Sequence, residues 1–386
     1  MTQAPPPAAR LQLARWATRS QFAVLGLLAG AWGAHIPSLK ARYGLDEARL
    51  SLVLLTAGAG AILSLLIAGR VVAALGARRC NLLAGLALCA ALALTLQLPG
   101  LPPLWPVALL LGMSMSLFDV AINTEGSELE HLGGRPVMSN LHAMFSIGGM
   151  LGAGLVAGLL EAAVPPPVQL LGITGAMALA VCVGTRGMLD SHAAPAAGEP
   201  AHFVWPRGLL LLIGLLVLAG MIAEGVMYDW CVLYLKQELG MQQAQAALGY
   251  AVFSAAMAAS RLAGDALRQR YSERALLGAG AGMAALAMAM VLLAASRGLA
   301  FVGFALAGAG LAPVAPILLN AATRVPGVSR AAAIAAVTSI GYSGFMLGPT
   351  LVGGLAHARS LTAALGVVVA SAALLAWGAR FVPDKP

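Results

Sequence analysis

Charge is what this sequence has least of. Only 10% of its 386 residues are Asp, Glu, Lys or Arg, against about 25% in an ordinary soluble domain, while 60% are hydrophobic. A soluble core of this length has no way to bury so much apolar surface behind so few charges, so lipid is expected to be the solvent for most of the chain. Cysteine is also sparse. Cys80, Cys89, Cys182 and Cys231 lie in or beside apolar stretches without CxxC spacing, which argues against a disulfide framework or a cysteine metal site. No HExxH, GxSxG or Walker sequence occurs, so the chain offers no zinc hydrolase, nucleophile elbow or nucleotide-driven engine. Neither a metal nor a cofactor is expected. The net charge of +8 comes from arginines set singly or in small groups between apolar stretches. That pattern reads as a topology signal, and no nucleic-acid partner is expected.

Long hydrophobic runs are what is present. A helix needs about 20 mainly apolar residues to cross a bilayer. At that length the chain divides into twelve segments, at 20–38, 49–74, 81–99, 104–129, 137–160, 168–187, 208–234, 244–264, 275–295, 299–321, 331–355 and 361–380. The joints carry Pro, Gly or charge, and the longest break is DSHAAPAAGEPAHFVWPR at 190–207. The runs are continuous and not alternating ten-residue strands, so helices are expected and a β-barrel is not. The predicted organisation is a tail at 1–19, a six-helix bundle at 20–189, a linker at 190–207, a second six-helix bundle at 208–380 and a tail at 381–386. The first run has full span length and is expected to be a span, not a signal peptide.

The two bundles repeat. A shift of 196 residues lays Lys40 on Lys236, Gly44 on Gly240, Ala48 on Ala244, Arg78 on Arg274, Gly112 on Gly308, and MLGAGLVAG (Met150–Gly158) on MLGPTLVGG (Met346–Gly354). Six spans is an even number, so both halves enter the membrane from the same side. The repeat is therefore parallel, about an axis along the membrane normal. With both termini in the cytoplasm, the far side holds only Lys40, Arg42, Arg49, Lys236, Arg297 and Arg359 of the 23 basic residues. That bias sets the orientation.

At this point the sequence resembles the major facilitator superfamily over its whole length. The resemblance rests on twelve spans in two halves and on GRVVAALGARR (Gly69–Arg79) after the second span, with a degenerate copy, DALRQRYSER (Asp265–Arg274), in the second half. The family usually carries Asp at the fifth motif position, where this chain has Ala73. FDVAINTEG (Phe118–Gly126), LHAMFSIGG (Leu141–Gly149), EGVMYDW (Glu224–Trp230), SRLAGD (Ser260–Asp265) and GYSGFMLGP (Gly341–Pro349) resemble a bacterial inner-membrane, sugar-permease-like subgroup. The resemblance implies a monomeric transporter in the bacterial inner membrane with both termini cytoplasmic. It also implies a cavity lined by the first, fourth, seventh and tenth spans.

Carboxylates inside the spans are the candidate working parts, because each costs about 2.5–3.5 kcal/mol to insert at the bilayer centre. Asp119 shares one helical face with Gly112, Ser116, Asn123 and Gly126, a small polar stripe suited to a wet cavity. Asp119 reads as a proton carrier or substrate ligand, or as a carboxylate bonded structurally to Asn123, His142 or an Arg. Glu224 shares a face with Tyr228 in the seventh span, and His142 in the fifth is placed to meet Asn123 and Asp119. Asp229 reads as a helix cap or a partner of Lys40 or Lys236. Glu125 and Glu128 point away from the Asp119 face. With Arg78 and Arg135 they are expected to form gating salt bridges, and Asp265 with Arg261 and Arg270 to do so in the second half. The glycines of the fifth and eleventh spans are expected to let the halves pack closely, and Pro349 to kink the eleventh.

The function expected is secondary active transport of a small solute of unknown identity, proton-coupled, by alternating access in a lipid bilayer. Efflux of a drug or metabolite by proton antiport is the alternative. Met113, Met115, Met221, Met227 and Phe118 keep a lipophilic cavity in view, whereas Gly152-Ala153 stands where drug antiporters carry Gly-Pro. A non-transporting membrane sensor or enzyme is the remote third reading.

Overall fold

The computed structural model describes residues 7–134, 137–189 and 205–384, the side chains of Asp265 and Ala331 excepted. All regular structure among the described residues is helical. The first half holds α1 (Ala8–Tyr43), α2 (Glu47–Leu75), α3 (Ala77–Leu94), α4 (Leu104–Gly133), α5 (Met138–Glu161) and α6 (Pro166–Gly187). The second holds α7 (Gly208–Gln237), α8 (Gln243–Arg270), α9 (Glu273–Ala294), α10 (Arg297–Leu311), α11 (Val314–Ala322), α12 (Arg330–Ala358), α13 (Leu361–Ala364) and α14 (Gly366–Gly378). Twelve spans are long and apolar enough to cross a membrane, with α10–α11 forming the tenth and α13–α14 the twelfth. Pro313, which lacks an N–H, sits at the α10–α11 break, whereas Pro349 lies inside an unbroken α12.

Two expectations shift. Residues 8–19 are not a tail but the first turns of α1, where Arg10 donates to the carbonyls of Gly187 and Met188 at the end of α6. The expected linker falls mostly on 190–204, outside the described residues.

In the first half α1 packs on α5 and α6, and α4 on α2 and α3. In the second α7 packs on α12 and α14, and α10 on α8 and α9. The sequence repeat is visible in detail. Gly44, which caps α1, and Gly240, in the turn after α7, both take the left-handed conformation, at φ 60° and 59°, where a Cβ would crowd its own backbone. Four residues before each glycine, Lys40 binds Glu47 at 2.6 Å and Lys236 binds Gln243 at 3.1 Å. Gly112 lies against the Ala57 carbonyl and its repeat partner Gly308 against that of Phe253. The same small residue thus makes the same helix crossing twice.

The halves meet along two seams, α5 on α8 and α2 on α12, and α1 also touches α7 and α8. At the end opposite the termini the seams are bolted. Gln243 Nε2 donates to Ala34 O at 3.0 Å and Ser38 Oγ at 2.7 Å. Gln237 reaches Glu47 at 3.4 Å, and Gly353 lies against Ser51 and the Glu47 carbonyl. Most of the other glycines expected to join the halves do not. Gly148 and Gly152 abut α1, Gly341, Gly344 and Gly348 abut α7, and Gly154 and Gly158 touch nothing. Within a lipid-facing bundle, close packing inside each half is needed as much as packing between halves. Gly149 is an exception: it faces Ser254 and Tyr250 of α8.

Candidate functional site

The α5–α8 seam carries a charge. Arg261, in the later part of α8, sends one guanidinium nitrogen to Glu224 Oε1 on α7 at 3.2 Å. The other donates to Ser146 Oγ at 2.7 Å and to the His142 carbonyl at 3.4 Å, both on α5 of the opposite half. Ser139 Oγ in turn donates to the Arg261 carbonyl at 3.2 Å. Glu224 is buried and both side chains of the pair are nearly so. A charge this deep persists only when paired and hydrogen-bonded. The fork of a guanidinium lets one residue bind its own half and its neighbour at once.

Around this pair lies an aromatic cluster. The Tyr228 ring packs 5.2 Å from Tyr250 and 5.4 Å from Phe253, with Phe145 of the first half at 6.4 Å. Tyr228 Oη donates to Met257 Sδ at 3.3 Å. Tyr228 and Glu224 do share a face of α7, one turn apart, as their spacing predicts.

Asp119 stands apart. Its carboxylate accepts from Asn123 Nδ2 at 3.0 Å, one turn along the same helix, and it makes no ion pair among the described residues. It lies within electrostatic reach of Tyr342 on α12 of the second half. His142 does not join it. The His142 ring packs edge-on against Phe22 at 5.3 Å, and its carbonyl, not its imidazole, serves Arg261. The expected Asp119–His142 meeting is therefore corrected: α5 turns that ring toward α1. Asp229 is not paired with Lys40 or Lys236, which are taken by Glu47 and Gln243.

The expected gating set is only partly brought together. Arg261 reaches toward α7 and α5 and binds Glu224. Arg270 is exposed and Arg135 lies outside the described residues, as does the Asp265 side chain. Glu125 is fully buried and accepts from the Leu189 N–H at 2.8 Å, tying the end of α4 to the segment after α6. Glu128 makes no hydrogen bond or ion pair among the described residues, and Arg78 is half-buried at the start of α3. A further charged pair without a counterpart in the sequence reading lies within the second half, where Glu273 on α9 binds Arg324 and Asn320.

The Major Facilitator Superfamily profile matches residues 20–326 and again 210–386. The chain belongs to the major facilitator superfamily. It is thus a multi-pass membrane protein of a family of transporters for small molecules, not of enzymes. It is 36% identical to an uncharacterised transporter of this superfamily from Yersinia pestis, over 95% of this chain and 94% of that one. It is 33% identical to an uncharacterised transporter of Sinorhizobium fredii, over 92% and 94%, and 28% identical to membrane protein MosC of Rhizobium meliloti, over 94% and 88%. The fold matches a bacterial homologue of the human lysosomal transporter Spinster in an inward-facing, unoccupied conformation, at TM-score 0.74 and 13% identity over 98% of both chains. It also matches a D-xylose–proton symporter at TM-score 0.78 and 13% identity, over 96% and 98%.

Within this superfamily member the repeat breaks where the site lies. The offset of 196 puts Leu28 and Leu65 where the second half has Glu224 and Arg261, and Tyr342 where the first half has Ser146. One seam is therefore polar and charged, the other apolar and aromatic. The signal for the Glu224–Arg261 pair was available in the sequence: both charges fall in spans whose repeat partners are leucine.

Proposed function

We propose that this protein is a proton-coupled secondary transporter that moves a small solute across the bacterial inner membrane by alternating access. It works as a monomer with both termini in the cytoplasm. The observation that carries this reading is the Arg261 guanidinium, shared between Glu224 of its own half and Ser146 of the other. A charged hydrogen bond across a moving seam couples an ionisation to a motion, because protonating Glu224 removes the partner that holds Arg261 in place. Arg261 is then free to change its hold on α5. With the termini cytoplasmic, closure through Gln243, Gln237 and Gly353 is at the outer end, so this conformation faces inward. Glu224 carries the coupling proton in this scheme and Asp119 faces the solute. Glu125, Glu128, Arg78 and Arg135, with Asp265 and Arg270, serve as inner gate charges.

The fold shared with a proton symporter supports this reading at the level of architecture. Antiport, including drug or metabolite efflux, uses the same parts with the proton moving against the solute. The test is uptake by proteoliposomes across a panel of sugars, amines and carboxylates, with and without an imposed proton gradient. A solute accumulated only with the gradient, with accumulation but not binding lost in Glu224→Gln, is the expected result. Flux indifferent to the gradient, or a Glu224→Gln protein that still concentrates the solute, refutes proton coupling through this pair.

A further inference from the structure

The transporter reading leaves the class of solute open, and the charge balance of the seam narrows it. Glu224 is neutralised by Arg261. Asp119 has no such partner: its hydrogen bond is to the neutral amide of Asn123. Asp229, five residues beyond Glu224 on α7, makes no hydrogen bond or ion pair among the described residues. The basic groups that could have served them are committed elsewhere: Lys40 to Glu47, Lys236 to Gln243, Arg19 to Asn140. A carboxylate that stays charged at this depth needs a positive partner, and the described residues supply none.

The second-half helix α12, which packs on α2 as α4 does, carries a pair of aromatic rings. Tyr342 and Phe345 on α12 have centroids 6.3 Å apart and planes at 30°, and each is 37% exposed. Tyr342 is the ring within electrostatic reach of Asp119. Phe345 lies against Gly225 of α7, where a Cβ would sit 3.1 Å from the ring. The pair is thus within reach of Asp119 through Tyr342 and in contact with α7 through Phe345. Aromatic faces carry negative electrostatic potential and attract cations. The charged donor of the seam, Arg261, is spent on Glu224 and Ser146, and the Asn123 amide is turned to Asp119.

We infer that the solute is a small monovalent organic cation, an amine or quaternary ammonium, bound between the Asp119 carboxylate and the Tyr342–Phe345 rings. This rests on the transporter reading above and adds the charge class to it. The carboxylate supplies the ion pair and the rings the apolar wall, one from each half. Occupancy thus draws α4 and α12 together, as a solute that drives closure must.

The test uses the purified full-length protein in detergent with five probes: benzylamine, choline, benzyl alcohol, benzoate and D-xylose. Binding is read by calorimetry and by the shift in melting temperature. Benzylamine and choline are expected to bind and the other three not to. Asp119→Asn should weaken the two cations about tenfold or more, from loss of a charged partner. Tyr342→Phe should keep their affinity and Tyr342→Ala lose it. Asp119→Glu, which retains the charge, should bind and guards against reading a misfolded variant as a binding defect. Cations that fail to bind, or that bind Asp119→Asn equally well, overturn the inference. So does binding of benzoate or D-xylose in their place; if those are also taken up by proteoliposomes, the solute class falls while the transporter reading stands. If proteoliposomes move no solute of any charge, the transporter reading fails and takes this inference with it.

Discussion

Replacing Arg261 with methionine should cost more than replacing Glu224 and Arg261 together. Methionine keeps much of the length and apolar volume of the arginine stem but deletes three hydrogen bonds, at 3.2 Å to Glu224, 2.7 Å to Ser146 and 3.4 Å to the His142 carbonyl. The single change leaves the Glu224 carboxylate buried on α7, one turn from Tyr228, with no positive charge beside it. Stranding one member of a buried pair costs about 3–5 kcal/mol. Glu224→Gln strands the guanidinium instead, but Ser146 and the His142 carbonyl still accept from it, so the cost should be lower, about 1–3 kcal/mol. In the double variant a neutral amide faces a thioether and no charge is stranded, so stability should recover to within about 2 kcal/mol of the parent. The coupling energy of the cycle is then about 2–6 kcal/mol. Reversible unfolding in mixed micelles, followed by tryptophan fluorescence, measures all four corners. Additive single effects, each under about 1 kcal/mol, would mean that the pair is solvated and contributes no hold between the halves.

Three other outcomes follow from the packing. Gly152→Leu should abolish folding, since a Cβ there would lie 2.2 Å from the Leu27 carbonyl; normal yield and gel-filtration profile would show that α5 can move off α1. Glu273→Ala should destabilise by about 3–5 kcal/mol, because Glu273 is 1% exposed and its loss strands Arg324; a melting temperature indistinguishable from the parent's would show that Arg324 finds water instead. Gln243→Ala removes the bonds to Ala34 and Ser38 and should raise maleimide labelling of a cysteine placed at Ser38 several-fold, on the order of one lost hydrogen bond; unchanged labelling would mean that the glycine contacts alone hold that end shut.

The sequence made the architecture legible because lipid imposes a simple rule: every span satisfies its own backbone, so length and hydropathy count helices directly. The 196-residue offset goes further and matches contacts, with Lys40–Glu47 recurring as Lys236–Gln243. The side-chain partners are harder to read. Depth alone singles out Glu224, Tyr228 and Asp119, but depth does not say which neighbouring helix a charge turns to. Proximity in the chain offers Asp265 to Arg261 and gives no hint of Glu224 and Ser146, which packing of α8 against α7 and α5 brings to it. Adjacency of spans points His142 to Asp119, and its ring instead faces Phe22. Tyr342 and Phe345 give no signal because an aromatic in an apolar span is ordinary until a carboxylate comes within its reach.

The central claim is that the Glu224 charge governs the α5–α8 seam, and a distance measurement tests it without knowledge of the solute. Spin labels at Asn140 on α5 and Gln269 on α8, measured by pulsed dipolar spectroscopy in nanodiscs, report the seam at the end where the termini lie. The carboxylate form of Glu224 holds Arg261, and the neutral form releases it. The account therefore predicts one distance population at high pH, a second that grows as pH falls, and a Glu224→Gln protein fixed in the low-pH distribution at every pH. Identical distributions in parent and Glu224→Gln across the whole pH range would contradict it.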